Sequence, residues 1–453
     1  MNEIIRYFNL GDEIEKDLNI NNVVVDSREV SIGDIFICLK RENCDGHDFV
    51  SEALDKGALC AIVERDVGIN DKIFKVESTL NFLQNLAKFY LEKFDIKKIG
   101  ITGSVGKSTV KEMVSSIFET EFNVLKTGVN FNGQVGVPLT CFGANKDTQV
   151  SIFEMGISEI GNMEKLVNIV HPDFAVINNI GVSHIGNFGN LETTCEEKFK
   201  ISSDDCVVCL NADSLELSNF SPKHAKKIIR FGLNGNFDYK AEGVSSLNNE
   251  TEFVLVTEFC RESIKIPCLG IHNVYNALGA ISVSMEFGIH LDDIKQGLLN
   301  FKSLPMRQKI INFKDFILID DSYNASPDSV KASINLLQSI KSKGRNIVVI
   351  ADILELGNYS REIHFDLGRY MSFCNIDIVI SIGNCAKYIC DAIKLSKSNI
   401  ETFSFNSNDE TYTKILQILQ NNDKILIKGS RGMKTDEIVS MLIDKFGEVV
   451  EKT

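Results

Sequence analysis

Apolar and polar positions divide the chain into stretches with different periodicities. Roughly the first 80 residues hold short strand-like runs, at Asn22–Asp26 and Asp34–Lys40, which are broken by polar turns. Leucines at helical spacing then predict a helix over Thr79–Phe94. From Lys97 onward, short apolar runs alternate with amphipathic stretches, a pattern typical of strands that are each followed by a helix.

The second stretch opens with a predicted strand at Lys98–Thr102 and a helix at Ser108–Glu119 whose apolar residues share one face. Residues 233–266 are polar and Asn-rich and predict antiparallel strands at a sheet edge, and a helix follows at Val274–Phe287. Three runs are apolar almost throughout, as strands buried on both faces should be: Gln149–Glu154, Phe174–Ile180 and Cys206–Leu210.

The pattern is interrupted at Ser303, Leu304 and Pro305, which predicts a domain boundary there. Strand–helix alternation then restarts, with apolar runs at Phe316–Ile319, Asn346–Ile350, Ile376–Ile382 and Lys424–Ile427. Two such series after a small N-terminal unit predict an α/β protein of three domains, the last two of the doubly wound type. The expected boundaries are 1–80, 81–305 and 306–453.

Composition narrows the class of protein. The 453 residues carry a formal charge of −14, so most of the surface repels a phosphate backbone, which argues against nucleic-acid binding. No apolar run approaches the roughly 20 residues that span a bilayer. The N-terminal stretch is acidic where a secretory signal is basic and apolar, and the twelve cysteines form no regular framework. A cytoplasmic protein with reduced thiols is expected.

The strongest chemical signal is the glycine-rich stretch Gly100–Thr109, GITGSVGKST, between a predicted strand and a predicted helix. It contains GxxGKS from Gly103, shorter than the full GxxxxGK[ST] pattern. Such a loop points backbone N–H groups at a phosphate, Lys107 reaches the β- and γ-phosphates, and the Ser108 hydroxyl ligates Mg²⁺. The alternative is a turn that only caps a helix. The combination favours a nucleotide site formed by Gly103, Ser104, Val105, Gly106, Lys107, Ser108 and Thr109.

Two polar side chains follow the next predicted strands. Glu154 ends one strand, and His184 lies just beyond another. Ligands of open α/β sheets gather at the carboxyl ends of strands, where a carboxylate suits Mg²⁺. Taken singly, an acid in a turn and a hydrogen-bonding loop histidine are the simpler interpretations.

Several ordered motifs together resemble the ATP-dependent Mur ligases, and the resemblance covers nearly the whole chain. The N-terminal VDSREVSIGDIFICLK…DGHDF is similar to the uridine-nucleotide-binding domain of one branch of that family. The other motifs are TGSVGKST, FEMG (Phe153–Gly156), NNIGVSH (Asn178–His184), GIHNVYNALGA (Gly270–Ala280), DDSYNASPDS (Asp320–Ser329), DILELG (Asp352–Gly357) and KGSRGMK (Lys428–Lys434).

The resemblance implies a small α/β N-terminal domain that binds a UDP-linked substrate, a central P-loop ATPase-type parallel sheet and a C-terminal Rossmann-like domain that binds a dipeptide. It also implies an ATP-dependent, ADP-forming amide ligase of cytoplasmic peptidoglycan precursor synthesis. In the branch concerned, the carboxylate of UDP-N-acetylmuramoyl-tripeptide becomes an acyl phosphate, which the amine of D-Ala-D-Ala attacks. A monomer acting on small molecules, with no membrane insertion, is expected.

The resemblance also assigns the metal and phosphate ligands. Lys107 and Ser108 bind the phosphates and one Mg²⁺, which Glu154 also ligates. His184 serves a second Mg²⁺ together with Lys198, which is carbamylated (N6-carboxylated) in the family. A carbamate offers anionic oxygens where an ammonium repels a cation. Lys200 is the alternative register, and a plain surface lysine is the simpler interpretation.

Further nucleotide contacts are implied in the second half of the chain. Asn273 and Asn276 face the adenine, with His272 nearby, although Asn273 alone also reads as the N-cap of the helix that follows. Ile271 stands where the family usually has Arg, which removes that contact. Arg307 and Asp321 reach the nucleotide only when the domains close, so closure is part of the expected catalytic cycle.

The substrate side depends most on the resemblance. It assigns substrate contacts to Ser27, Asn132, Tyr323, Asn324, Ser430 and Arg431. By themselves, the stretches around Ser27 and Lys428–Gly432 read as a turn and a loop, and Ser326–Asp328 reads as the start of a helix. Gly133 and Gln134 replace the family's usual Asn and acid, a departure that affects contacts with the substrate carboxylate.

Two other functions compete with this interpretation. One is another Mur-type or folylpolyglutamate-type amide ligase, and the other is a non-catalytic ATP-binding switch with the same fold. The N-terminal motifs and Asp320–Ser329 favour the first function over another ligase. The retention of Lys107, Glu154, His184 and Lys198 favours an enzyme over a switch. The third residue of the tripeptide, lysine or diaminopimelate, has no signature in the chain.

Overall fold

A computed structural model describes residues 1–10, 19–41, 43–68, 71–247 and 249–447. Part of the acidic N-terminal stretch lies outside these residues. Within them, no helix is both long enough and apolar enough to cross a bilayer.

Strands and helices alternate along most of the described chain. The strands are β1 (Val23–Val24), β2 (Ile35–Ile37), β3 (Lys40–Arg41), β4 (Cys44–Asp45), β5 (Cys60–Val63), β6 (Ile73–Lys75), β7 (Lys97–Thr102), β8 (Val124–Lys126), β9 (Val150–Glu154), β10 (Phe174–Ile177), β11 (Val207–Asn211), β12 (Lys227–Gly232), β13 (Tyr239–Leu247), β14 (Glu250–Val256), β15 (Arg261–Ile266), β16 (Lys309–Asn312), β17 (Ile317–Asp321), β18 (Asn346–Ala351), β19 (Ile378–Ile382), β20 (Glu401–Phe405) and β21 (Lys424–Lys428).

The α-helices are α1 (Asn2–Phe8), α2 (Val50–Asp55), α3 (Thr79–Leu91), α4 (Lys107–Phe118), α5 (Gly136–Cys141), α6 (Asn162–Val170), α7 (Ile185–Phe188), α8 (Leu191–Phe199), α9 (Leu215–Asn219), α10 (Ile271–Phe287), α11 (Leu291–Asn300), α12 (Pro327–Ser339), α13 (Ser360–Met371), α14 (Lys387–Leu395), α15 (Asn408–Ile418) and α16 (Asp436–Phe446). Short 3₁₀ helices cover Gly46–Phe49, Gly357–Tyr359 and Arg431–Met433.

The chain forms two compact units, of which the first comprises residues 1–101, 121–157 and 161–174. Its N-terminal part contains a parallel four-stranded sheet in the order β1-β2-β5-β6. Apolar residues of α1 and α3 cover one face of this sheet, and residues of α2 lie in a second cluster. Strands β7, β9 and β8 also pair in parallel in this unit, with β9 between the other two.

The second unit comprises residues 102–120, 158–160 and 175–453. Its first strands run in the order β10-β11-β12-β13-β14-β15, and the last two pairings are antiparallel. This confirms the antiparallel structure predicted for residues 233–266. Helices α4 and α10 pack closely against each other beside these strands.

A separate six-stranded sheet takes all its strands from residues after 305, in the order β16-β17-β21-β18-β19-β20. Only β16 is antiparallel to its neighbour. Along β18, Ile347 and Val349 pack on one face of the sheet while Val348 and Ile350 pack on the other. The run is apolar throughout because both faces are covered, which confirms the basis of the α/β prediction.

Some predicted bounds differ from the structure. The strand predicted for Phe174–Ile180 ends at Ile177, because Asn178 and Asn179 leave the sheet and bind the loop that precedes α4. The predicted three-domain boundaries near residues 80 and 305 stay a prediction.

Seven of the twelve cysteines are buried, as expected for thiols that serve as small core residues. The expectation that the cysteines form no CxxC pair is wrong, because Cys206 and Cys209 have this spacing, which is typical of redox and metal sites. Both side chains are buried, and burial raises the pKa of the Cys209 thiol to about 12. A thiol that stays protonated at neutral pH is unreactive, so Cys209 is a core residue.

Close packing of α11 on α4 depends on Gly297. A Cβ atom at this position would lie 2.8 Å from the backbone nitrogen of Ile117. We expect Gly297→Ala to lower the free energy of unfolding by about 1–3 kcal/mol, the usual cost of overpacking. Urea denaturation measures this change. Gly133→Ala is the control, because a Cβ there meets nothing within 4 Å. Equal effects of the two substitutions would contradict the prediction.

Candidate active site at the phosphate loop

The phosphate loop connects β7 to α4 and requires glycine at its end. Gly106 is the N-cap of α4 and has a φ of 82°, which side-chain-bearing residues rarely adopt. A Cβ atom on Gly106 would also lie 2.5 Å from side-chain atoms of both Asn178 and Asn276. The helix that follows has 12 residues, and Ser108 lies buried in its first turn, where helix N–H groups favour a phosphate.

Two lysine side chains converge on one carbonyl of this loop. The Nζ atom of Lys107 donates to the carbonyl oxygens of Gly103, at 2.9 Å, and Ser104, at 3.3 Å. The Nζ atom of Lys198, from α8, donates to the same Gly103 oxygen at 3.2 Å. Burial, together with the nearby Lys107 ammonium, holds the pKa of the Lys198 amine well below its ordinary value.

Lys198 and Lys200 differ in burial and in the groups that they contact. Lys198 is buried, with 3% of its surface exposed, and lies at the loop. Lys200 forms a short ion pair with Glu197 on its own helix turn and is half-buried. Of the two lysines, Lys198 is the one at the phosphate loop, and its role as a metal ligand stays a prediction.

Asn178 and Asn179 hold the loop in place, a role that sequence reasoning did not assign to them. The side-chain oxygen of Asn179 accepts hydrogen bonds from the backbone N–H groups of Ser104, at 3.0 Å, and Val105, at 2.8 Å. The side-chain amides of both asparagines donate to the Val105 carbonyl, at 3.1 and 2.8 Å. The available signal was two adjacent amides directly after an apolar strand.

A chain of buried amides extends from the loop to α10. Asn178 donates to Asn276 at 2.8 Å, Asn276 donates to Asn273 at 3.0 Å, and Asn273 donates to the Leu269 carbonyl at 2.7 Å. The simpler interpretation of Asn273 as an N-cap is wrong, because α10 begins at Ile271 with Gly270 as its cap. Both asparagines are thus placed beside the phosphate loop by the same amide chain.

His184 is held from the C-terminal part of the chain. Its Nδ1 atom lies 2.7 Å from the Oε2 atom of Glu355, and this imidazole holds the pKa of the Glu355 carboxyl below its usual value. The contact is close in distance but does not meet the angular criteria of a hydrogen bond, because the ring N–H does not point at the oxygen. In the described part of the chain, no ion pair or hydrogen bond links His184 to Lys198.

Glu154 and Asn132 meet within the first unit. Glu154 is buried at the end of β9, and the Asn132 amide donates to its Oε1 atom at 2.8 Å. Gln134 has a structural role, because it accepts from the Gln84 amide and donates to the Asn162 carbonyl at 3.0 Å. Gln134, which stands where the family usually has an acid, thus stabilises its loop through these two hydrogen bonds.

Arg307 and Asp321 lie in a connected region after residue 305. The Arg307 guanidinium lies over the Tyr323 ring, 3.9 Å from its centre, and the Tyr323 N–H donates to the Met306 carbonyl. Asp321 is buried, forms a short ion pair with Lys428 and accepts from the Ser333 hydroxyl at 2.5 Å. These contacts fix both predicted nucleotide residues within the second unit. Their approach to a nucleotide on closure stays a prediction.

The remaining predicted substrate residues are placed separately. Ser430 is buried and accepts from the Leu354 N–H at 2.9 Å, and Arg431 pairs with Asp436 at 3.0 Å. The Asn324 carbonyl accepts from Lys428 at 3.0 Å. Ser326 caps α12 with Pro327 following, as predicted.

Ser27 belongs to the first unit. It is buried, and its backbone carbonyl accepts from the Lys56 ammonium at 2.9 Å. Its hydroxyl lies at the limit of hydrogen bonding from Glu52, at 3.5 Å. A role in binding a UDP group stays a prediction.

Family models match three consecutive parts of the chain. The Mur ligase family, catalytic domain, matches residues 19–91; the Mur ligase middle domain matches residues 101–284; and the Mur ligase, glutamate ligase domain, matches residues 306–431.

Two relatives that match along nearly their whole length have the same name. The UDP-N-acetylmuramoyl-tripeptide–D-alanyl-D-alanine ligase of Bacillus subtilis is 34% identical over 94% of this chain and 93% of its own length. The Escherichia coli ligase of the same name is 32% identical, with 94% of each chain covered.

Solved structures agree with these relatives. MurF from Acinetobacter baumannii matches with a TM-score of 0.89 and 28% identity over 98% of each chain. MurF from Thermotoga maritima, solved in complex with ADP, matches with a TM-score of 0.85 and 28% identity over 95% of this chain and 99% of its own. A mutant of L. casei FPGS matches with a TM-score of 0.57 and 14% identity over 81% of this chain and 96% of its own, which shows a shared fold alone. The chain therefore belongs to the Mur ligase family, in its MurF branch.

Proposed function

We propose that this protein is the ATP-dependent ligase that joins D-Ala-D-Ala to UDP-N-acetylmuramoyl-tripeptide, with release of ADP and phosphate. Full-length similarity to ligases of that name supports this substrate pair. We propose that it works as a monomer in the cytoplasm, within peptidoglycan precursor synthesis.

One observation carries the catalytic part of the proposal. The amines of Lys107 and Lys198 both lie within hydrogen-bond distance of the Gly103 carbonyl, beside the N-terminus of α4. The Lys107 ammonium and the helix N–H groups suit a triphosphate, whose charge would otherwise repel an incoming carboxylate, and Lys198 lies beside them. A site of this kind lowers that repulsion by fixed electrostatics.

The reaction needs an activated carboxylate. A carboxylate oxygen of the tripeptide attacks the γ-phosphorus of ATP, the bond to the β-γ bridging oxygen breaks, and ADP leaves. The amine of D-Ala-D-Ala then attacks the acyl phosphate, loses a proton and expels phosphate as the amide forms. Lys107 is positioned to stabilise the charge that develops on the transferred phosphoryl group.

The described donor groups fit magnesium. Lys198 is buried and the pKa of its amine is lowered, which favours the neutral form that reacts with carbon dioxide to give a carbamate. We propose this carbamate and His184 as ligands of one Mg²⁺ and Ser108 and Glu154 as ligands of another, since oxygen donors suit this ion. Bound magnesium would neutralise phosphate charge.

The remaining roles follow the family resemblance. Asn273 and Asn276 would face the adenine, and Arg307 and Asp321 would complete the nucleotide site on closure. We propose substrate contacts for Ser27, Asn132, Tyr323, Asn324, Ser430 and Arg431. For Arg431, a planar guanidinium suits the dipeptide carboxylate, although in this structure it pairs with Asp436.

An ADP-release assay tests the function directly. With ATP, magnesium and UDP-N-acetylmuramoyl-tripeptide, we expect sustained ADP release only after D-Ala-D-Ala is added, because the acyl phosphate needs an amine to turn over. Substrates with lysine and with diaminopimelate as the third residue are run in parallel. Turnover that ignores the dipeptide would contradict the acceptor assignment, and tight ATP binding without turnover would favour a switch.

A further inference from the structure

The segment that carries His184 is packed against a loop from the C-terminal part of the same unit. Ile185 is buried in the cluster that contains Ile353 and Leu356. The Tyr359 hydroxyl donates to the Gly189 carbonyl at 3.4 Å. Apolar and polar contacts thus join residues 185–189 to residues 353–359.

Gly186 and Gly357 allow the two segments to approach each other closely. A Cβ atom on Gly186 would lie 3.1 Å from the backbone nitrogen of Gly357 and 3.2 Å from the carbonyl oxygen of Glu355. Both distances are tighter than ordinary van der Waals contact, so a side chain at Gly186 would push the two backbones apart. His184 and Glu355 therefore face each other across a close contact.

The loop that presents Glu355 is itself firmly held. The Asp352 carboxylate accepts three backbone N–H groups, from Asn384, Cys385 and Ala386, at 3.0, 2.9 and 2.6 Å. The next N–H groups donate to the His364 ring at 3.0 Å and to the Ser430 hydroxyl at 2.9 Å. These hydrogen bonds hold the backbone just before Glu355 in place and so restrict the position of this residue.

Both facing residues have left-handed backbones, with φ of 59° at His184 and 63° at Glu355. Non-glycine residues seldom adopt this conformation, so the surrounding contacts select it. The carboxylate then lies 2.7 Å from the Nδ1 atom of His184. When Nδ1 is engaged by a carboxylate, the other ring nitrogen, Nε2, is the one able to bind a metal.

We propose that Glu355 is a positioning residue for His184: it fixes the orientation of the imidazole and so ties metal binding to docking of the 353–359 loop. The inference rests on the proposed function for the metal role of His184. It adds a consequence, namely that the C-terminal part of the unit controls how a metal ligand in its central part is oriented.

Manganese binding to the full chain tests the proposal. Mn²⁺ is titrated in the presence of ADP, and free Mn²⁺ is followed by electron paramagnetic resonance. We expect Glu355→Ala to weaken the His184-dependent binding by about 10- to 100-fold, the usual effect of losing a carboxylate behind a metal-binding histidine. Glu355→Gln keeps an oxygen acceptor and should lose less. If Glu355→Ala does not fold, which its thermal midpoint shows, Glu355→Gln carries the test.

Two controls give the result its meaning. Glu362→Ala removes the same charge from an exposed position on α13 and should leave Mn²⁺ affinity unchanged. In a His184→Ala background, Glu355→Ala should have no further effect, because the two residues act through one ring. An unchanged affinity in Glu355→Ala, or an equal loss with and without His184, would overturn the proposal.

The design separates this inference from the proposed function. If the wild type shows no turnover that depends on D-Ala-D-Ala, the substrate assignment is rejected. The manganese comparison can still be interpreted in that case. If His184→Ala itself binds Mn²⁺ as the wild type does, the metal role of His184 fails, and the positioning role fails with it.

Discussion

Lys107→Met is expected to lower the turnover number by about 10³-fold or more, the range seen when a cation that neutralises a transferring phosphoryl group is removed. The Lys107 ammonium is bound at the loop carbonyls of Gly103 and Ser104, and methionine keeps the length of the side chain but not its charge. Because this charge acts most strongly in the transition state, ATP affinity should fall much less than turnover. Steady-state ADP release and equilibrium binding of ATP measure the two effects.

Lys107→Arg supplies the comparison. It keeps the positive charge but replaces a compact ammonium with a planar group, so we expect turnover between that of the wild type and that of Lys107→Met. A less than tenfold loss in Lys107→Met would place the phosphate elsewhere and contradict the role of the loop.

Lys198→Ala is expected to lower turnover by about 10²- to 10³-fold, the range for loss of one preorganised electrostatic group in an active site. The reason is that burial lowers the pKa of this amine and so favours the neutral form from which the proposed carbamate is made. Added acetate should restore part of the activity, because its oxygens can stand where those of the carbamate stood. Intact mass measured under carbon dioxide should show the adduct in the wild type and not in the variant.

Lys200→Ala is the matched control two residues away. Its ammonium pairs with Glu197 on the same helix, so its removal should change turnover little. If Lys198→Ala is as active as Lys200→Ala, carbamate oxygens on Lys198 do not contribute to catalysis. That result would remove Lys198 from the mechanism.

Much of the fold is encoded locally. The largely apolar runs at β9, β11 and β18 predicted strands that are buried on both faces. The GxxGKS motif lies on consecutive residues between a strand and a helix. The N-cap of α12 was also readable, because Ser326 and Pro327 act on the turn that contains them. Patterns of this kind depend only on near neighbours, which a single sequence displays.

The candidate site was predictable only in part. Residue types at Lys107, Glu154 and His184 pointed to phosphate and metal chemistry, and the family resemblance added Lys198. The scaffold behind them was missed: Asn179 holds loop N–H groups 74 and 75 positions away in the chain. Taken alone, Asn273 suggested a local cap, but its amide belongs to a buried chain that reaches the phosphate loop.

The sequence by itself determined the alternation of strands and helices, the position of the phosphate loop and the types of side chain that serve it. Tertiary structure alone decided that Lys198 shares a carbonyl with Lys107, that two asparagines support the loop, and that Glu355 meets His184. The physical reason is that periodicity and turn chemistry act between near neighbours. Hydrogen bonds and charge shifts in the site instead depend on residues that only packing brings within hydrogen-bond distance of each other.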